Sequence, residues 1–419
     1  MKREVDVLVI GAGSVGINSA FYLNEQGRHV EVVDKGEVCS GSSHGNAGWI
    51  VPSHSIPLAA PGVMWTGIRW MFNPESPFYI KPRFDRDLLS WLWKFRRACN
   101  KSHVDRSIPL IRDLSLASLE LFEKLDGLEG LEFDFAQRGM LMLCPDEDSL
   151  KEGIKEAHHL RESGLEAAIL NPQQIRELEP NVRINAVGGV HFSQDAHVTP
   201  GHFVRRLARY IEQRGVKVHP STEVLGFEKK GGRITTIRTT RGEFAPAEVV
   251  LAGGAWSSEL VEDLELNLPI QAAKGYSITY ERPQNCPDVP LMLAGARVGV
   301  TPMGDKLRFA GTLELAGLDF SINRRRVQAI LRAVPQYLPD LDLDQLKLVE
   351  IWRGLRPCTP DGLPFLGRAR AFENLVVAAG HAMIGLSLGP ITGKLVSQLV
   401  AGEQTEIDLG ALAVERFAR

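Results

Sequence analysis

Three glycines near the start of the sequence are spaced for phosphate chemistry. Gly11, Gly13 and Gly16 form Gly-x-Gly-x-x-Gly directly after the apolar run 5–10, and a helical pattern opens at Ser14. In that setting Gly11 permits a tight turn, Gly13 lets the backbone approach a pyrophosphate, and Gly16 lets the helix pack close to the strand. Free N–H groups at the helix start, with the positive end of the helix dipole, attract the anion. Asp34 follows about twenty residues on, at the end of a second apolar run. Its carboxylate suits ribose hydroxyls and disfavours a 2′-phosphate. The loop alone serves NAD and FAD equally. His191, Asp195, His197 and His202 have the residue types of metal ligands, but their spacing is loose, and no metal is expected.

The elements that must position these groups are readable in outline. A strand, the glycine turn, a helix over 14–26 ended by Gly27, and a strand over 29–33 open the chain. Residues 58–100 are rich in Pro and aromatics with no clean period. Helices are expected over 107–125 and 148–164. A second α/β section begins at Thr199, a plausible N-cap followed by Pro200. It continues with a strand over 216–219, a meander over 223–244, and a buried strand 247–252 ending in Gly253-Gly254. Strands over 274–281, 297–303 and 306–313 suggest an antiparallel sheet. A helix over 322–334, a strand over 375–379, a glycine turn and a helix over 385–401 close the chain.

The fold class expected is α/β: a discontinuous Rossmann-like nucleotide-binding domain (1–57, 190–265 and 350–419) with an α+β substrate domain (58–189 and 266–349) built on a mixed or antiparallel sheet. At 419 residues, two domains are the default. With 48 Lys+Arg against 51 Asp+Glu, 44% apolar and 24% charged residues, the composition is that of an ordinary globular protein. It excludes a disordered chain, a collagen-like repeat and a strongly basic nucleic-acid binder. Cys39, Cys99, Cys144, Cys286 and Cys358 are dispersed without a Cys-x-x-Cys pair, the pattern of reduced intracellular thiols. There is no apolar run of transmembrane length and no signal pattern, so a cytoplasmic location is expected, with peripheral membrane contact left open. One local oddity stands out. Nine of residues 63–95 are Trp, Phe or Tyr, and residues 63–104 carry eight Lys/Arg against three acids. This stretch could pack on the core, form a lid, or dock to a membrane through Trp65, Trp70, Trp91 and Trp93 with Arg96, Arg97 and Lys101.

Three more segments carry a resemblance. They are Ser43-His44-Gly45-Asn46-Ala47-Gly48-Trp49, Gly354-Leu355-Arg356-Pro357-Cys358-Thr359-Pro360-Asp361-Gly362-Leu363-Pro364, and Ala379-Gly380-His381-Ala382-Met383-Ile384-Gly385-Leu386-Ser387-Leu388-Gly389-Pro390. With the N-terminal loop they resemble the D-amino-acid oxidase superfamily of FAD enzymes. The stretch 53–95 and Lys274-Gly275-Tyr276-Ser277 resemble its bacterial D-amino acid dehydrogenase branch. The resemblance implies FAD bound without a covalent link. Cys358 does not stand where some relatives attach flavin.

Cofactor positions implied by the resemblance are Gly11, Gly13, Ser14, Val15 and Gly16 at the pyrophosphate, and Asp34 with Lys35 at the ribose. Ser43, Asn46, Ala47 and Gly48 would lie along the isoalloxazine, and Val224 would meet the adenine through its backbone. Gly253, Gly254 and Trp256 are further implied contacts. Gly380, His381, Met383, Ile384, Gly385, Leu386 and Ser387 would lie at the flavin's N1–C2=O edge.

Arg356 would pair with the substrate carboxylate, its fork holding Cα–H toward the flavin. Tyr276 would add a hydroxyl there or be a core tyrosine. His44 and His54 would touch substrate or tune the flavin, or be ordinary structural histidines. Glycine oxidase-like relatives carry a second arginine where this chain has Met383. The implied reaction moves a hydride from Cα of a D-amino acid to flavin N5. The imino acid then hydrolyses to a 2-oxo acid and ammonia, and electrons pass to a quinone or to O2. The alternatives are an oxidase or dehydrogenase of D-hydroxyproline, proline, glycine or sarcosine, a plain NAD dehydrogenase, and a flavoprotein subunit that needs partner chains.

Overall fold

The computed structural model of the chain describes residues 2–63, 67 and 76–418. Trp65, Trp70, Met71 and Phe72 lie outside the described residues. Strand Arg3–Ile10 pairs in parallel with Val30–Val33 on one side and with Gly242–Leu251 on the other. A strand flanked on both edges and covered on both faces must be apolar, and residues 7–10 are buried. Parallel strands Lys217–His219 and Leu375–Ala379 extend this sheet at its two sides, with Phe365–Arg368 beyond the latter. Ile10 is level with Val33 and Leu251. Gly11, Asp34 and Ala252 therefore meet at the carboxyl ends of three neighbouring strands, where open α/β sheets bind their ligands.

The second sheet has nine strands among the described residues, in the order Leu348–Cys358, Gln271–Glu281, Lys306–Leu315, Val298–Met303, Leu291–Leu293, Met140–Cys144, Gly188–Phe192 and Ala168–Leu170, with Phe78–Ile80 beside Lys306–Leu315. Most of its pairings are antiparallel. Ile278, Tyr280, Phe309 and the helix Arg324–Tyr337 build a core on one face. The other face turns toward the nucleotide-binding part.

Several expectations need correction. Residues 190–192 and 350–358 belong to the second sheet. Leu348–Cys358 runs antiparallel to Gln271–Glu281 from Leu348 to Cys358, with a bulge at Val349. The chain returns to the first sheet at Phe365. Neither strand is among those read from the sequence, so the boundary is drawn without the sheet that sets it. The last helix begins at Gly389, four residues later than expected, because residues 380–388 form a long turn with positive φ at Gly380 and Ala382. Within 58–100 a regular helix, Arg86–Ala98, was missed. Leu88, Trp91 and Phe95 recur at helical spacing and are buried, and Asp85 caps the start through the N–H groups of Asp87 and Leu88.

That helix also sorts the tryptophans. Trp91 is 2% exposed, and its indole N–H donates to the carbonyl of Cys358. It is a core residue and no membrane anchor. Trp93 is 57% exposed and stacks with Arg97. Among the described residues, no helix is long and apolar enough to cross a membrane.

Candidate active site

The glycine loop is built by close approach. Gly11 has φ +113°, and a Cβ there would stand 2.4 Å from the carbonyl oxygen of Ala252. A Cβ on Gly16 would stand 1.8 Å from the oxygen of Gly11. Asp34 accepts from the N–H groups of Ala12 and Gly36, both at 2.7 Å, and so stiffens the loop. Thr222 N–H donates to the Asp34 carbonyl, which brings the start of strand Val224–Lys230 alongside. Ser14 Oγ and Asn18 Oδ1 are buried at the helix start without a protein partner among the described residues. A cradle whose Cβ positions are filled by backbone, with an unmet hydroxyl at a helix N-terminus, fits a pyrophosphate. Lys35 lies 4.0 Å over the ring of Trp256, and Trp256 stacks on Phe320. Gly253 and Gly254 follow the neighbouring strand Gly242–Leu251 and lead into Trp256.

The segment 43–48 is a junction. Ser43 Oγ accepts from Ser14 N–H at 3.0 Å. Asn46 donates to the carbonyl of Met383 at 3.2 Å and accepts from Gly48 N–H. The segment thus ties the pyrophosphate loop to the turn 380–388, with Ala47 and Gly48 between them. In that turn Ile384 N–H bonds back to His381, and Leu388 N–H to Ile384. Ser387 Oγ receives Val51 N–H, and its carbonyl receives Ser118. Leu386 is buried, while Met383 is exposed beside Gly385. His381 is buried against Thr392, 3.1 Å away, and burial pushes its pKa down to about 4. It is neutral at physiological pH.

Arg356 lies on the second sheet's inner face. It stands opposite Ala273, so it shares a face with Gly275, Ser277 and Thr279. A Cβ on Gly275 would fall 2.0 Å from the guanidinium, so glycine there leaves the space the side chain occupies. Its Nη1 donates to the Thr312 carbonyl at 2.6 Å, and no carboxylate pairs with it among the described residues. Trp352 lies on the same face, its ring in the space of absent Cβ atoms at Gly354 and Gly45.

The other three candidate residues have the following surroundings. Tyr276 points to the opposite face, where its hydroxyl donates to Glu314 and accepts from Asn323 N–H. The two readings left open for it resolve to the core tyrosine, because alternation along the strand separates 276 from 273 and 275. His44 has both ring nitrogens engaged. Arg205 can only donate, so Nδ1 accepts from it at 3.2 Å, and Nε2 carries the proton toward Glu350 at 2.9 Å. His54 touches Ser53 Oγ and packs 5.7 Å from the Trp49 ring, and burial lowers its pKa to about 4. His191, Asp195 and His202 have separate partners in Arg138, Ser53 and Asp134.

Sequence reading missed Arg308, Glu350, Trp352 and Arg205. Arg308 is 6% exposed and donates to the carbonyls of His44 and Asn46 at 2.8 and 2.9 Å. The available signal was a lone cation between buried Leu307 and Phe309 in an apolar strand.

A crevice at strand ends whose glycine loop fits a pyrophosphate, faced by a sheet that presents a half-buried arginine with no carboxylate partner among the described residues, suits a dinucleotide and a small anion. The chain belongs to the family of FAD dependent oxidoreductases, whose pattern matches residues 6–399. The D-amino acid dehydrogenase of Vibrio atlanticus (strain LGP32) is 31% identical over 420 residues, covering 99% of this chain and 100% of the relative. That of Neisseria meningitidis serogroup C (strain 053442) is 30% identical over 418 residues, covering 98% and 99%. Among solved structures, glycine oxidase from Geobacillus kaustophilus superposes with a TM-score of 0.80 at 24% identity, covering 99% of each chain. L-proline dehydrogenase from P. horikoshii does so at 0.77 and 20%, covering 100% and 98%. These two likenesses are of fold.

Proposed function

We propose that the protein is an FAD-dependent D-amino acid dehydrogenase that deaminates its substrate oxidatively to a 2-oxo acid and ammonia and passes the electrons to a quinone or another acceptor. The observation that carries this reading is Arg356. Among the described residues this half-buried guanidinium has one hydrogen bond, to a carbonyl, and no carboxylate partner, and its fork matches a carboxylate. The names of the curated relatives supply the amino-acid class and the D configuration.

When bound, FAD supplies the acceptor for the hydrogen and electron pair leaving Cα. The protein's residues bind and orient. Gly11, Gly13, Ser14, Val15 and Gly16 hold the pyrophosphate, Asp34 and Lys35 the ribose, and the Val224 backbone the adenine. Residues 43–48 and 380–387 line the flavin, with Gly253, Gly254 and Trp256 along the crevice. Arg356 fixes the carboxylate so that Cα faces the flavin, and positioning supplies the rate. A substrate bound with a neutral amine requires no general base, and the imino acid hydrolyses in water. Dye reduction by a D-amino acid with little peroxide in air supports a dehydrogenase. Steady peroxide formation would make it an oxidase instead. Activity confined to D-hydroxyproline, proline, glycine or sarcosine would favour the imino- and small-amine reading.

The cofactor is held without a covalent bond. Burial pushes the Cys358 thiol up to about 12, so it stays protonated and unreactive. Acid precipitation is expected to leave a colourless pellet and a yellow supernatant, and a yellow pellet would refute this.

Peripheral membrane contact is proposed through helix Arg86–Ala98. Leu89 and Trp93 are exposed one turn apart, Phe84 precedes them, and Arg96 and Arg97 follow. The protein should sediment with vesicles containing an anionic phospholipid at low salt and be released by high salt. The double change Leu89→Ser and Trp93→Ser should abolish the binding. A wild-type protein that ignores such vesicles would dispose of the proposal.

A further inference from the structure

Arg308 is a buried cation whose hydrogen-bond partners are all neutral. Its Nε donates to Thr279 Oγ1 at 3.0 Å and its Nη1 to the carbonyls of His44 and Asn46. No carboxylate forms an ion pair with it among the described residues. Glu350 attracts it from longer range but is hydrogen-bonded to His44. A buried charge is costly unless an opposite charge answers it. Arg356, on the same sheet face, has a candidate in the substrate carboxylate, whereas Arg308 has no carboxylate within ion-pair distance among the described residues.

The carbonyls it grips point to the missing charge. They belong to the segment 43–48, which Ser43 ties to the pyrophosphate loop and Asn46 ties to the turn 380–388. Arg308 therefore sits behind the stretch that the FAD reading places along the flavin. The isoalloxazine gains negative charge when it takes up two electrons. A guanidinium buried behind that stretch adds positive potential there, which favours the extra negative charge.

We propose that Arg308 is a positioning residue that fixes the segment 43–48 against the flavin and whose charge favours the two-electron-reduced, anionic cofactor. The inference rests on the FAD reading. A purely structural clamp would need the hydrogen bonds and not the charge, which makes the two roles separable.

The test uses holoenzyme of the wild type, Arg308→Met, Arg308→Gln and Arg308→Lys. Each is equilibrated with a reference redox dye during anaerobic reduction, and FAD affinity is measured on the apoprotein by flavin fluorescence. Met and Gln should shift the flavin–dye equilibrium at least tenfold toward oxidised flavin, about 30 mV for a two-electron couple. Lys should hold the wild-type equilibrium while weakening FAD binding, since it keeps the charge and loses the fork. If the Met variant cannot hold flavin, the Gln and Lys pair decides in the same way. Equal equilibria in the charged and uncharged variants would overturn the proposal. Failure of the FAD reading looks different: the wild-type protein would bind no flavin at all.

Discussion

Arg356→Lys should raise KM for a D-amino acid about ten- to a hundredfold, the equivalent of the roughly 1.5–3 kcal/mol that a hydrogen bond to a charged group contributes. The charge survives the substitution, but the planar fork does not. A single ammonium cannot hold a carboxylate in one register. Arg356→Met should go further and lower kcat as well, because a substrate held loosely presents Cα poorly. Both variants should bind FAD as the wild type does, since among the described residues the hydrogen bond of Arg356 goes to the Thr312 carbonyl and its guanidinium lies over Gly275. Steady-state kinetics with flavin content measured in parallel would check this. Unchanged KM in the lysine variant would remove the carboxylate role.

Gly11→Ala should cost both stability and cofactor. Its φ of +113° is strained for any residue with a Cβ, and the added carbon would stand 2.4 Å from the Ala252 carbonyl oxygen. That neighbour is backbone at a strand end, so it cannot swing aside. Strain and displacement together should cost about 2–4 kcal/mol and weaken FAD binding by at least tenfold. Gly27→Ala is the control. Its φ is +79°, but no atom lies within 4 Å of the added Cβ, so strain alone acts, at about 1 kcal/mol. Thermal unfolding of the apoproteins and FAD titration separate the two variants. A Gly11→Ala protein that bound FAD like the wild type would show that the loop is not the pyrophosphate site.

The parts legible in the sequence are those set by local rules. The glycine spacing, Asp34 at a strand end, the helix start at Pro200 and the strand Leu375–Ala379 each follow from chain-local chemistry, although the Thr199 hydroxyl expected to cap that helix makes no cap hydrogen bond. The parts that were not legible depend on register. Tyr276 and Arg356 look like neighbours in a list of motifs, yet the pairing of Ala273 with Arg356 puts them on opposite faces. Glu350, Trp352 and Arg308 become site-facing only once two strands from distant parts of the chain are aligned. His44 is left open in the sequence between a substrate or flavin contact and a structural histidine, because nothing local reveals that Arg205 and Glu350 engage both its nitrogens. The helix Arg86–Ala98 was hidden by its Pro-rich and aromatic surroundings, although Leu88, Trp91 and Phe95 carry its period.

The most direct measurement is anaerobic mixing of the purified protein with matched D- and L-amino acids while the flavin's visible absorbance is followed. The account predicts a yellow protein whose flavin is bleached rapidly by at least one D-amino acid and not by its L-enantiomer. A colourless protein, or bleaching by the L-enantiomer at an equal or greater rate, would contradict it.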